Sequence, residues 1–299
     1  MPRAATMLWS CGAAVVALVS FAVNPTPATA AEDSPSFSSV PALSEGFRNL
    51  YEQKFPDARK QFTDWSAAHG EEPFGQIAIA ASFLFEEFYR QGVLTSDFFL
   101  NDKKFLKGIE GKPDANRMKG FEEALTKARR LSTTRLTKNA QDPDALFCLT
   151  MADGMESDAN SILEKKNLES LKHMKEANEY AQKLLAVKPD AHDAYVAVGA
   201  ANYIIGSLSG GKRFLLWFGG IHGDKELGMD QLQKTADNGR YLRPFAKILL
   251  ALASQREKQN ERSEKLLKEL SEEFPASPLF AAEYAKIMGR PIPATMEPH

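Results

Sequence analysis

Cysteine is nearly absent from this chain: 299 residues carry only Cys11 and Cys148. That excludes a disulfide-stapled scaffold. A basic surplus is absent too. Lys plus Arg number 37 against 39 Asp plus Glu, a net charge of −2, so the excess with which nucleic-acid binders neutralise phosphates is missing. From Leu43 onward there is almost no β signal, neither alternating apolar/polar runs nor Asn-Gly or Asp-Gly turns between β-branched stretches. Histidine is sparse. No two of His69, His173, His192, His222 and His299 lie three to five residues apart, so the helical zinc pair of metalloproteases is lacking. No Gly-x-Ser-x-Gly elbow occurs. The adjacent carboxylates Glu86-Glu87, Glu122-Glu123 and Glu272-Glu273 point to different sides of a helix and make no acid/base pair. These absences assign no catalytic residue, no metal and no cofactor, and the chain is not expected to be an enzyme.

What is present is ordinary globular material, 43% hydrophobic and 25% charged. Residues 1–30 differ from the rest. Arg3 is the only charged side chain before Glu32, an apolar stretch runs from Met7 to Val23, and Ala28-Thr29-Ala30 supplies small residues for cleavage. This is the layout of a secretory signal peptide, with a retained N-terminal anchor as the alternative. Cleavage would remove Cys11. Cys148, inside Leu146-Phe147-Cys148-Leu149, then reads as an inert core thiol rather than a nucleophile.

After a Ser/Pro-rich lead-in at 31–42, apolar residues recur at helical spacing. Proline is tolerated in a first helical turn and not in an interior, so the prolines mark helix boundaries. The pattern predicts helices over 43–54, 56–68, 74–91, 114–139, 144–162, 166–186, 191–206, 224–237, 244–258, 260–273 and 278–288, with long connections near 92–113 and 207–223 and a tail from 290. Short turns between neighbours imply antiparallel pairs. In 244–275 the small residues Ala251 and Ser263 allow close approach, and Leu266, Leu267 and Leu270 seal the seam.

That spacing resembles the tetratricopeptide repeat. The resemblance rests on Leu250, Ala251, Ser263, Leu267, Leu270 and Pro275; on Gly46, the run Phe55 to Phe62 and Trp65; on Tyr195, Val198, Gly199 and Asn202, resuming at Gly228 and Leu232; and, more loosely, on Ala152, Ala177, Leu184 and Pro189. It implies an all-α fold, a right-handed superhelical solenoid of antiparallel helix pairs over 43–289. The family's groove positions fall on Phe74, Ile77, Leu84, Asp153, Glu156, Asp193, Tyr203, Phe245 and Gln255. The expected role is a non-enzymatic scaffold of the bacterial periplasm or cell envelope. It would bind a protein or peptide, envelope components among them, and no nucleic acid.

The insertion at 207–223 is the most distinctive segment. Its glycine and lysine positions match a phosphate loop, but Arg213 stands where Ser or Thr would hold Mg²⁺, and a helix precedes it where a strand should. Phe214, Leu215, Leu216, Trp217 and Phe218 follow one another behind Lys212 and Arg213. Such a run must be buried against something. It either folds inside the superhelix or contacts a partner or lipid. The competing functional reading follows from it: a receptor for a small molecule or lipid, with Phe214 to Phe218 walling an apolar cavity. Membrane contact is left open.

Overall fold

Pro41, Pro56, Pro73, Pro143, Pro244 and Pro278 each occupy one of the first two positions of a helix, where a missing N–H costs nothing. The computed structural model describes residues 40–207 and 222–292, all within the compact unit that begins at Asp33. Among the described residues there are thirteen α-helices and no strand. They are α1 Pro41–Tyr51, α2 Phe55–Ala68, α3 Pro73–Arg90, α4 Ser96–Leu100, α5 Asp102–Lys107, α6 Ala115–Lys138, α7 Pro143–Asp158, α8 Asn167–Val187, α9 Tyr195–Ser207, α10 Lys225–Asn238, α11 Arg243–Arg256, α12 Asn260–Glu273 and α13 Pro278–Ile287. The all-α expectation therefore holds. The signal peptide, most of the lead-in and the insertion residues Lys212, Arg213, Phe214, Trp217 and Phe218 lie outside the described residues, as does the tail from residue 293.

Side-chain oxygens accept from free N–H groups at several helix starts: Asp114 from Asn116 and Arg117, Asp142 from Ala145, Asp224 from Leu227, and Ser277 from Phe280. Two elements depart from the sequence pattern. The connection near 92–113 contains α4 and α5. The helix expected over 144–162 stays α-helical only to Asp158 and then widens into a π turn, Ala159–Leu163.

With α4 and α5 set aside, each helix packs on the next along the chain, and α3 also meets α1 and α7. Small residues sit where backbones come closest. A Cβ on Gly228 would stand 2.5 Å from the Tyr203 nitrogen and 2.8 Å from the Gly199 oxygen, so α9 and α10 touch backbone to backbone. Ala251, Ser263, Leu266, Leu267 and Leu270 are buried between α11 and α12, as their spacing implies. Cys148 is buried as well, and burial pushes its thiol well up, which makes it a packing residue.

The two ends of this helix series meet. Phe47 of α1 packs tilted against Tyr241, with ring centroids 4.9 Å apart. The Tyr51 hydroxyl donates to the Tyr241 carbonyl at 2.8 Å, and its ring lies 5.5 Å from that of Phe274. Ser277 donates to Gln53 at 2.8 Å. In an open repeat array each unit contacts only its neighbours. Here the first helix also packs on the segment leading into α11 and on the residues between α12 and α13.

Phe74, at the start of α3, gathers this junction. Its ring centroid is 5.9 Å from Phe47, 5.7 Å from Phe147 and 5.1 Å from Tyr241. The opposite, C-terminal ends of these helices are bridged by the α4–α5 segment. Arg256 at the end of α11 donates to the Phe99 carbonyl, and Lys286 of α13 pairs with Asp97 at 2.6 Å. Ile109, just past α5, donates its N–H to Ile162 in the π turn.

Candidate functional site

The nine expected groove residues do not form one surface. Phe74, Ile77 and Leu84 are at most 1% exposed and belong to the core. Their side chains offer nothing to a groove ligand; Phe74 is enclosed by the rings of Phe47, Phe147 and Tyr241. Asp193 is buried as well. It accepts the backbone N–H groups of Arg240, Tyr241 and Leu242 at 2.8, 3.0 and 3.2 Å. Tyr203, half-buried, turns toward α11, with its hydroxyl 3.4 Å from Glu257. Phe245 is half-buried and meets Phe85 edge-on, with centroids 5.7 Å apart. Gln255 is half-buried near the end of α11.

Exposure instead grows along the inner helices toward their C-terminal ends. On α7, Phe147, Met151, Gly154 and Asp158 share one face at helical spacing. Phe147 is buried and Met151 half-buried. A Cβ on Gly154 would meet nothing within 4 Å, and Asp158 is exposed. On α9, Ala197 and Ala200 are half-buried and Ile204 is 42% exposed. Leu227, 48% exposed, lies at the same end of the antiparallel α9–α10 pair. The repeat register did not mark these residues: on the same helices it marked Asp153, Glu156 and Tyr203, which lie on other faces.

Asp158 reaches solvent, yet the protein crowded around it pushes its carboxyl up to about 7. The folded-state value thus lies above the ordinary value of about 3.9, and the folded chain holds the proton more tightly. Stability is fully present below about pH 4 and falls as the pH rises toward 7. Asp158→Asn should therefore melt higher than the unsubstituted chain at pH 8 and level with it at pH 4. Because water reaches the group, the difference should be a few degrees at most. Equal melting temperatures at pH 8 would show that this end is as well hydrated as free solution.

Asp153 and Glu156 take part in a different arrangement, in the seam of α6, α7 and α8. Both are among the expected groove positions. Instead, Asp153 is 1% exposed, and Arg129 of α6 bonds both carboxylates at 2.6 Å. His173 of α8 completes the group. Its Nδ1 lies 3.1 Å from Asp153 and 3.3 Å from Glu176, and its Nε2 lies 3.4 Å from Glu156. The two carboxylates push the Arg129 guanidinium further up, against the opposing effect of its burial. Asp153, Glu156 and His173 are the described residues that could jointly hold a metal ion. Spacing could not reveal this group. Only Asp153 and Glu156 are neighbours on one helix, while Arg129 and His173 arrive from helices on either side in sequence.

A shallow recess at the start of α6, lined by Lys112, Lys119, Glu122 and Lys165 among others, mixes surface charges of both signs.

No protein-family model and no curated protein matches the chain.

Proposed function

We propose that this chain is an exported, non-enzymatic binding protein built as a tetratricopeptide-like, right-handed solenoid of helix pairs. Its place is the bacterial periplasm or cell envelope, and it takes a protein or peptide segment at the C-terminal ends of α7 and α9. The export reading rests on residues 1–30 of the sequence. The helix-pair reading rests on close seams such as Gly199 against Gly228, and on the burial of the small Ala251 and Ser263 in the packed α11–α12 pair. Among the described residues, no helix is long and apolar enough to cross a membrane.

The observation that carries the binding role is the pair of exposed apolar side chains Ile204 and Leu227, at the same end of the packed α9–α10 pair. Singly exposed apolar residues need no explanation, but grouped ones mark contact sites. A second reading, an apolar small molecule or lipid, draws on the half-buried Met151 one turn beyond Phe147, whose ring packs on Phe74. A photo-crosslinking residue at position 204, with position 119 on the exposed side of α6 as control, tests both. Irradiation in cells should give adducts at 204 and none at 119. Adducts of protein mass support the scaffold and adducts of lipid mass the receptor. No adduct at 204, or equal labelling at both positions, removes the stripe as a binding surface.

A further inference from the structure

We propose that α4 and α5 form a strap that opens as a unit and gates the end of the molecule where α3, α7, α11 and α13 finish. The strap leaves α3 at Gly92 and ends at Gly108, both left-handed, with φ of +65° and +68°. Its two ends are fixed. Val93 is fully buried. At Gly108 a Cβ would stand 2.5 Å from the Ile162 oxygen, and that oxygen accepts the Ile109 N–H at 3.0 Å. Only glycine admits both that turn and that approach.

Between these ends the fastening is light. Of the described side chains in α4 and α5, only Ser96 and Phe98 are buried, whereas most residues of α3 are. Helices of five and six residues are too short to persist alone. What makes them one unit is a cluster of their own rings. Phe98, Phe99 and Phe105 lie with centroids 5.3, 6.2 and 6.0 Å from one another. Those contacts are internal, so they survive when the strap lifts.

The clasp is polar and comes from far along the chain. Lys286 of α13 pairs with Asp97 at 2.6 Å and donates to Ser96 at 2.9 Å. Arg256, the last residue of α11, donates to the Phe99 carbonyl, and α4 rests on α11. Asp97 is 68% exposed, so water and salt compete for its ion pair. A segment with few buried side chains, clasped by exposed polar bonds, opens at a lower free energy than the core beside it.

The gating role rests on the binding reading above. Ile204 follows Tyr203, whose hydroxyl is 3.4 Å from Glu257, and Glu257 follows Arg256. The clasp on α11 therefore lies beside the end of α9 where binding is proposed.

Hydrogen exchange of the full chain at increasing urea, read by mass spectrometry, tests the opening without any ligand. Amides 98–106 should exchange faster than those of α3 and α11, with a weaker dependence on urea. Lys286→Ala should speed them about fivefold and leave α3 unchanged. The charge-swapped pair Asp97→Lys with Lys286→Asp should restore the slower rate. Amides 98–106 that share the urea dependence of α11, or that Lys286→Ala leaves unchanged, overturn the strap. For the gate, Lys286→Ala should raise the yield of photo-adducts at position 204. Faster exchange with an unchanged yield overturns the gating. No adduct at 204 in either protein removes the binding reading and the gate with it, while the exchange data still decide the strap.

Discussion

Phe74→Ala is expected to lower the melting temperature by about 10 °C. Truncating a buried phenylalanine costs roughly 3–5 kcal/mol, through lost transfer energy and the cavity left behind. For a domain of this size each kcal/mol is worth about 2–4 °C. The loss should fall at the upper end because of where Phe74 stands. Its ring touches Phe47, Phe147 and Tyr241, which belong to three different parts of the chain. Rigid rings anchored on separate elements cannot slide inward to fill the void. The substitution also loosens the junction where α1 meets the segment before α11, so the first and last helices should lose cooperativity with the rest. Phe245→Ala is the internal comparison. That ring is only half-buried, and its truncation should cost markedly less. A Phe74→Ala protein melting within about 2 °C of wild type would mean that the meeting of the two ends contributes little to stability.

The junction also shows where reading the sequence succeeds and where it stops. Helix starts were legible because their causes are local. Pro73, Pro143, Pro244 and Pro278 can be accommodated only in a first turn, and Asp114 and Asp142 cap the N–H groups two or three residues ahead. The seam residues Ala251 and Ser263 were legible because small size at facing positions has one structural use. The contact of Phe47 with Tyr241 joins segments far apart in the chain, and no periodicity encodes it. Phe74 is drawn into that junction, and like Ile77 and Leu84 it is core rather than surface. α4 and α5 were missed because five or six residues are too few to show a helical period, although Phe98, Phe99 and Phe105 are there to be packed. The π turn was missed because one extra residue per turn leaves no mark on propensity. The Arg129–Asp153–Glu156–His173 group joins three helices through side chains that share no motif, so only the packed structure brings it together.

Asp193→Ala should destabilise the fold by roughly 3–5 kcal/mol, with a lower urea midpoint at an unchanged slope. The reason lies in the short segment entering α11. Three successive N–H groups, of Arg240, Tyr241 and Leu242, converge on the Asp193 carboxylate, and two of these bonds are wholly buried. Alanine leaves all three donors unanswered, and at the two buried ones water cannot replace the lost acceptor. The damage spreads, because the same segment presents the Tyr241 carbonyl to the Tyr51 hydroxyl and the Tyr241 ring to Phe47 and Phe74. Asp193→Asn keeps one acceptor oxygen but turns an NH₂ toward the donors, so it should fall between alanine and wild type. Hydrogen exchange should show amides 240–242 losing protection in both variants, more in alanine. The result separates the two roles this residue can hold. A ligand-contacting groove residue would weaken binding on substitution and leave the urea midpoint in place. A residue that anchors the closing segment shifts the midpoint whether or not a partner is present, and the ordering Ala, Asn, Asp is the signature of acceptors lost one at a time.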